Sequence, residues 1–144
     1  MKVSARADYA LRACIELVRA GGQATSSEAI SAAQDIPHSF LQNILGDLRR
    51  AGFVRANSRA GGGYRLAVPA DRVTVADVVR ALDGPLVCVH GVDPGELRYP
   101  DAAEPLGALW MAVRANVGAV LDDLTLLDLA AGRPRAPEPT VLTG

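Results

Sequence analysis

The order of segments between residues 25 and 68 constrains the fold of this chain more than any other feature of its sequence. A capping box of Thr25 and Glu28 predicts a short helix that ends near residue 34. The tripeptide at 35–37 predicts a turn, because the residue before Pro37 avoids the α region. A second helix is expected over 37–51, so the pair is typical of a helix-turn-helix. The positions expected to be buried in the two helices are Ala29, Ile30, Ala33, Leu41, Ile44, Leu45 and Leu48.

A hairpin is predicted immediately after these helices. Residues 53–56 and 64–68 have the character of short strands, and the glycines in the turn between them can adopt positive φ. A hairpin in this position is a wing. The predicted fold class is therefore mostly α with a small β-hairpin wing: a winged helix-turn-helix followed by a long C-terminal dimerisation helix.

Three further helices and a tail complete the expected organisation. A first helix should begin after a Ser4 cap and bury a stripe of Leu11, Cys14, Ile15 and Val18. Thr74 and Thr125 should cap two later helices. The domains expected are a DNA-binding domain over 1–84, an effector or sensor loop over 85–104, a dimerisation helix over 105–131 and a disordered tail over 132–144.

Charge is unevenly distributed along the chain. Residues 1–72 carry a net charge of +4 and residues 73–144 a net charge of −5. Five arginines and no acidic residue lie between Arg49 and Arg65. Most charge runs are solvated faces, but a basic run that spans a helix end and a wing favours an anionic partner. The expected partner is double-stranded DNA.

The N-terminal part of the second motif helix is the part that reaches base edges in the major groove. Its outward face is expected to carry His38, Ser39, Gln42, Asn43, Arg49 and Arg50. Amide side chains such as those of Gln42 and Asn43 can pair with adenine. His38 is equally well explained as an exposed turn residue. Ser26 and Ser27, at the start of the first motif helix, are suited to a phosphate.

The wing supplies the remaining DNA-contact candidates, which are Arg59, Gly61, Gly62 and Tyr64. An arginine on a thin hairpin can enter the minor groove, and glycine allows close backbone approach. A flexible surface loop is the alternative for any run of glycines. Arg55 and Arg65 on the strands favour the DNA interpretation.

The longest helix is expected over about 105–124 and carries an apolar stripe over five turns. Such a stripe could pack on its own domain. Because the winged domain is already complete by about residue 68, two-fold pairing with a second copy is the better interpretation. The expected dimer-interface residues are Leu109, Trp110, Val113, Val117, Val120, Leu121 and Leu124.

Several separate motifs resemble the Rrf2 family of bacterial transcriptional regulators. They are Tyr9-Ala10-Leu11, the stretch from Ile36 to Leu45, the wing turn at 60–66, Leu82-Asp83-Gly84-Pro85 and Leu109-Trp110. The resemblance covers about residues 1–131. It implies a homodimeric DNA-binding regulator, usually a repressor, in which the long helix pairs two subunits.

The resemblance also shows where this chain departs from the family. Members that bind an iron–sulfur cluster carry three cysteines before the long helix, and Val92, Arg98 and Glu104 occupy those positions here. The usual cluster site is therefore absent, and no cofactor and no metal site is predicted. Cys88 could be structural, could act as a redox thiol, or could bind metal with His90.

Other classes of protein are poorly supported. No apolar run approaches the roughly 20 residues that span a bilayer, so no membrane partner and a cytoplasmic location are expected. Two His and two Cys without a phosphate-loop motif give no catalytic constellation, so the chain is not expected to be an enzyme. The alternatives to a DNA-binding repressor are a winged-helix protein-interaction module and a redox- or metal-responsive regulator using Cys88. A small-molecule or redox effector is left open.

Overall fold

The computed structural model describes residues 1–59 and 61–134, so the predicted tail beyond Pro134 lies outside the described residues. Six α-helices and one antiparallel hairpin occur in the expected order, with short 3-10 turns at 70–72, 94–96 and 101–103. The elements are α1 (Ala5–Arg19), α2 (Ser27–Gln34), α3 (His38–Arg50), β1 (Val54–Ala56), β2 (Tyr64–Leu66), α4 (Val75–Asp83), α5 (Pro105–Asp123) and α6 (Leu126–Ala130).

Helix α1 lies at the centre of the helical core and packs against α2, α3, α4 and α6. Its Ser4 cap is confirmed, since the Ser4 side chain accepts a bond from the Ala7 N–H. The predicted stripe is wrong in part. The buried face is Ala7, Ala10, Ala13, Cys14 and Leu17, while Leu11, Ile15 and Val18 are only half-buried. Small alanines face inward because several helices approach α1 closely.

Helix α2 begins one residue later than its predicted capping box. Ser26 is the N-cap and accepts from the Ala29 N–H. Thr25 instead pairs with Tyr64 of the hairpin, with both main-chain N···O distances at 2.8 Å. Ile30 is fully buried as expected, but Ala29 and Ala33 are exposed. An eight-residue helix lying across α3 buries one narrow stripe, and these two alanines lie outside it.

The apolar stripe of α3 is confirmed, since Leu41, Ile44, Leu45 and Leu48 are each 0% exposed. They join one core with α1, α4 and Val54 of the hairpin. Because this face is anchored along its whole length, the opposite face of α3 has a fixed orientation toward solvent.

The C-terminal part of the chain returns to the core around α1. Thr74 and Thr125 each form a complete capping box, with Asp77 and Asp128 respectively. The two capped segments pair through Val75 N to Leu124 O at 2.8 Å and Leu126 N to Val73 O at 2.9 Å. Leu126 of α6 is 0% exposed. Helix α6 therefore completes the core around α1, although α5 separates the two in sequence.

Candidate nucleic-acid interface

The exposed face of α3 carries the base-reading candidates. Ser39, Gln42 and Asn43 are all exposed and line one cleft of about 570 Å³. Pro37 is the N-cap of α3 and makes no side-chain hydrogen bond to the first N–H groups of the helix. Gly46 lies on the same face, where a Cβ atom would meet only Arg50 Nη1 at 3.5 Å. This face is polar, narrow and unobstructed, as entry into a major groove requires.

Two arginines beside this cleft are oriented by one carboxylate. Asp47 accepts hydrogen bonds from Arg6 of α1 and from Arg50 of α3. Both arginine side chains stay exposed, at 47% for Arg6 and 70% for Arg50. Arg50 was expected in the interface, whereas Arg6 and Asp47 were missed. The spacing of three residues between Asp47 and Arg50 is a local signal for their pairing. No local signal could show that Arg6 joins them, because 41 residues separate it from Asp47.

His38 and Ser27 lie together at the junction of α2 and α3. The Ser27 Oγ is 3.0 Å from His38 Nε2, and His38 is 3.5 Å from a Glu28 carboxylate oxygen. Ser27 is almost fully buried. The pKa of Glu28 is lowered, first because its own backbone N–H bonds to its carboxylate and then by Ser27 and His38. Ser27 and His38 thus hold two helices together at this point, and Ser26 offers its capping hydroxyl to solvent at the same helix end.

The wing presents arginines in an arrangement that is costly without an anion. Arg55 and Arg65 are directly opposite in the β1–β2 register, and both are exposed. Like charges directly opposite across a hairpin repel each other. In the part of the chain that the structure describes, no carboxylate lies within ion-pairing distance of these two or of Arg49 or Arg59, so the repulsion is not offset by an acidic side chain.

The glycines of the wing turn have the backbone conformation that was expected. Gly61 and Gly62 have φ values of +93° and +39°. Tyr64, also predicted to contact DNA, is half-buried and packs against the core, and its backbone joins the wing to Thr25. The wing is therefore attached to the start of α2, and Arg59 lies exposed in its turn.

Helix α5 has two apolar edges with different surroundings. Val113, Val117, Leu121 and Leu124 are half-buried and pack against the core of their own chain. Leu109 and Val120 are 49% and 60% exposed, and Trp110 is half-buried. Two ion pairs connect α5 to the rest of the chain: Asp122 pairs with Arg80 of α4, and Arg114 pairs with Asp93 of the preceding loop. Arg80 lowers the pKa of Asp122 by hydrogen bonding to it. The expected dimer residues are thus split between an internal contact and an exposed edge.

The donor atoms of this chain do not fit a thiolate-bound iron–sulfur cluster. Cys14 is buried in the core, and burial raises its pKa to about 12, so its sulfur stays protonated. Cys88 is exposed, and His90 lies in the tight turn that follows it. Residues 1–59 and 61–134 contain no group of three or more His, Cys, Asp or Glu placed to hold a metal ion. Thiolate ligation of a cluster needs several accessible sulfurs. Whether Cys88 senses oxidation stays a hypothesis.

The helix pair, the exposed polar face of α3 and the basic wing together define a winged helix-turn-helix protein. Within the described residues, no helix has the length and apolar character needed to cross a membrane.

Comparison with known proteins places the chain within one family of this class. The family model "Rrf2: Iron-dependent Transcriptional regulator" matches residues 3–132. The chain belongs to the Rrf2 family, so the resemblance stated from the sequence is confirmed. It is a transcriptional regulator of the helix-turn-helix type, and its relatives are named as regulators rather than as enzymes.

Three relatives illustrate the match. Rv1287 of Mycobacterium tuberculosis, assigned by its name to the HTH-type transcriptional regulators, is 41% identical and aligns with 92% of this chain and 83% of its own length. CymR of Bacillus subtilis is 35% identical over 91% of both chains. IscR of Cereibacter sphaeroides is 31% identical over 98% of this chain and 94% of its own. The solved structure of CymR, the global cysteine regulator of B. subtilis, has a TM-score of 0.76 and covers 93% of this chain and 99% of that one.

Proposed function

We propose that this chain is a homodimeric, sequence-specific repressor that binds double-stranded DNA in the cytoplasm. In this proposal residues 1–84 bind DNA, 85–104 receive a signal, and α5 pairs two subunits. Helix α6, the end of the predicted 105–131 segment, packs instead in the core of its own chain. Ser39, Gln42 and Asn43 read bases in the major groove. Arg49, Arg50 and the wing arginines bind phosphates or enter the minor groove.

The opposed arginines of the wing are the observation that carries this proposal. Arg55 and Arg65 face each other with no acidic partner among the described residues. The duplex backbone, with one charge for about every 1.7 Å of axis, offsets their repulsion when it lies along the wing. A protein-interaction module would need no such concentration of positive charge, which makes that alternative the weaker one.

The homodimer is supported by the exposed edge of α5. Leu106, Leu109 and Val120 are 39%, 49% and 60% exposed and lie on the same side of the helix. A five-turn helix with such an edge buries apolar surface when it pairs with the identical edge of a second copy about a two-fold axis. A dimer also presents two copies of α3 to two half-sites. Sedimentation of the full chain at micromolar concentration tests this part, and a monomer would contradict it.

Selection of binding sites from a random duplex library tests sequence-specific binding. The full chain should enrich one sequence with two related half-sites. Asn43→Ala should change the preferred base at one position of each half-site, by about 1–3 kcal/mol in discrimination. Glu96→Ala, at an exposed position of the loop before α5, is the control and should enrich the same sequence as the original chain.

Two outcomes would contradict the proposal. Enrichment of no sequence, combined with equal affinity for all duplexes, would exclude sequence-specific reading. A preference that Asn43→Ala leaves intact would exclude α3 as the reading helix. The repressor role comes from the family resemblance and is tested separately: the protein should reduce transcription in vitro from a promoter that overlaps the selected site.

The nature of the signal is a further part of the proposal. The loop over 85–104 packs its 3-10 turn at Pro94–Glu96 against α5, so a small molecule bound to this turn would act on the long helix. Oxidation of the exposed thiol of Cys88 is the redox alternative. Treatment with peroxide, followed by duplex binding with and without Cys88→Ser, tests the redox form of this idea.

A further inference from the structure

Phe40 is the large apolar side chain of α3 that remains exposed. Half of its surface, 50%, is accessible, whereas the apolar residues on the other face of α3 are fully buried. Phe40 lines the same cleft as Ser39 and Asn43. Single exposed apolar residues are common on protein surfaces, so exposure alone identifies no partner. The informative feature is position, because the ring lies beside the base-reading candidates Ser39 and Asn43 and presents an apolar surface where bound DNA would lie.

The ring of Phe40 is held in position before any partner binds. It packs edge-on against Tyr9 of α1, with ring centroids 6.4 Å apart and an interplanar angle of 80°. Tyr9 is in turn covered by the guanidinium of Arg12, whose carbon lies 5.1 Å from the ring centroid. Arg12 also donates to the backbone carbonyl of Gln34 at the end of α2. Phe40 of α3 is thus supported by two other helices, by α1 directly and by α2 through Arg12, and little side-chain freedom remains to be lost on binding.

The chemistry of the major groove restricts what such a ring can contact. Base edges in that groove present hydrogen-bond donors and acceptors, and the prominent apolar group among them is the 5-methyl group of thymine. We propose that Phe40 contacts a thymine 5-methyl group and makes the protein prefer thymine at one position of each half-site. This inference rests on the proposed DNA-binding function and adds a specificity-determining residue to it.

Replacement of thymine by deoxyuridine tests the contact, because it removes the methyl group and leaves base pairing unchanged. The probe is the duplex selected from the random library, synthesised with deoxyuridine at one thymine of a half-site at a time. At one position the original chain should bind about fourfold more weakly, the effect of losing one buried methyl group. Deoxyuridine outside the footprint is the control on the DNA side.

Two protein variants, tested on the same thymine and deoxyuridine duplexes, show which side chain reads the methyl group. Phe40→Ala should bind the thymine and deoxyuridine duplexes equally well. Val92→Ala, which shortens an exposed apolar residue of the loop instead, should retain the fourfold difference. If Phe40→Ala does not fold, as judged by circular dichroism, the deoxyuridine scan with the original chain still decides whether any methyl group is read.

The remaining outcomes separate this inference from the function on which it rests. Failure of the original chain to bind any duplex specifically would overturn the proposed function itself. Specific binding without a deoxyuridine effect at any position would overturn only the methyl contact. A fourfold effect that persists in Phe40→Ala would assign the methyl group to another side chain and would also overturn the inference.

Discussion

Gly63 connects the wing to the start of α2, and its replacement by alanine tests how that connection is made. Its φ is +102°, and an added Cβ would lie 2.8 Å from the Thr25 carbonyl oxygen and 2.9 Å from the carbonyl carbon. Real Cβ atoms do not approach backbone so closely, and both atoms belong to the main chain. The strand pairing between Thr25 and Tyr64 must therefore separate to accommodate the methyl group.

The expected cost has two parts. A non-glycine residue at this φ costs about 1–3 kcal/mol. Separation of the wing also breaks two main-chain hydrogen bonds, each worth about 0.5–1.5 kcal/mol. Gly61→Ala is the matched control, because its φ is +93° but nothing lies within 4 Å of an added Cβ. Gly61→Ala should show the first part alone, and Gly63→Ala should exceed it by about 1–3 kcal/mol.

Urea unfolding followed by circular dichroism measures the free energy of unfolding of both variants. Gly63→Ala should lose more stability than Gly61→Ala, because only the alanine at position 63 separates the wing from Thr25. Equal losses in the two variants would refute the reasoning, since they would show that the contact between Gly63 and Thr25 contributes nothing beyond backbone strain.

Four further expectations concern the interface, the dimer, the metal and the core. Arg59→Ala should weaken duplex binding and reduce the slope of log affinity against log salt by about one unit, whereas Arg98→Ala in the loop should change neither; an unchanged slope would remove Arg59 from the interface. Val120→Glu should convert the dimer to monomer in sedimentation, because pairing would bury a charge; a persistent dimer would place the seam elsewhere. Protein purified anaerobically should be colourless, and stoichiometric iron and sulfide that disappear in Cys88→Ser would contradict the cluster argument. Burial raises the pKa of Cys14 from 9.0 to about 12, so the stability that the buried thiol contributes is complete below pH 9 and is lost at about 1.4 kcal/mol per pH unit up to about pH 12. Cys14→Ala should therefore flatten the dependence of the free energy of unfolding on pH over this range, and identical pH dependence in the two proteins would disprove the burial effect.

Features determined by neighbours along the chain could be predicted from the sequence. The caps at Ser4, Thr74 and Thr125 depend on residues three positions away, and all three are present. The stripe of α3 was also recoverable, because leucine and isoleucine at helical spacing have no better place than the core.

Features that depend on distant segments could not be predicted in this way. Thr25 matches a cap by its local sequence, but the wing residue Tyr64, 39 positions later, pairs with its backbone instead. The helical spacing of Leu11, Cys14, Ile15 and Val18 predicts one buried face of α1, whereas close helix packing buries the small side chains of Ala10 and Ala13. In the site, the pairing of Arg6 with Asp47 and the support of Phe40 by Tyr9 both need tertiary contacts between α1 and α3.

The position of α6 has a consequence for synthesis of the protein. Leu126 fills the core around α1, and its main chain pairs with residue Val73. On the ribosome the N-terminal helices emerge first, but their core stays incomplete until this last helix has left the exit tunnel. The packing around α1 is therefore completed only after α5 has been synthesised. During synthesis the N-terminal helices reach their full set of contacts at almost the same moment as the long helix becomes available.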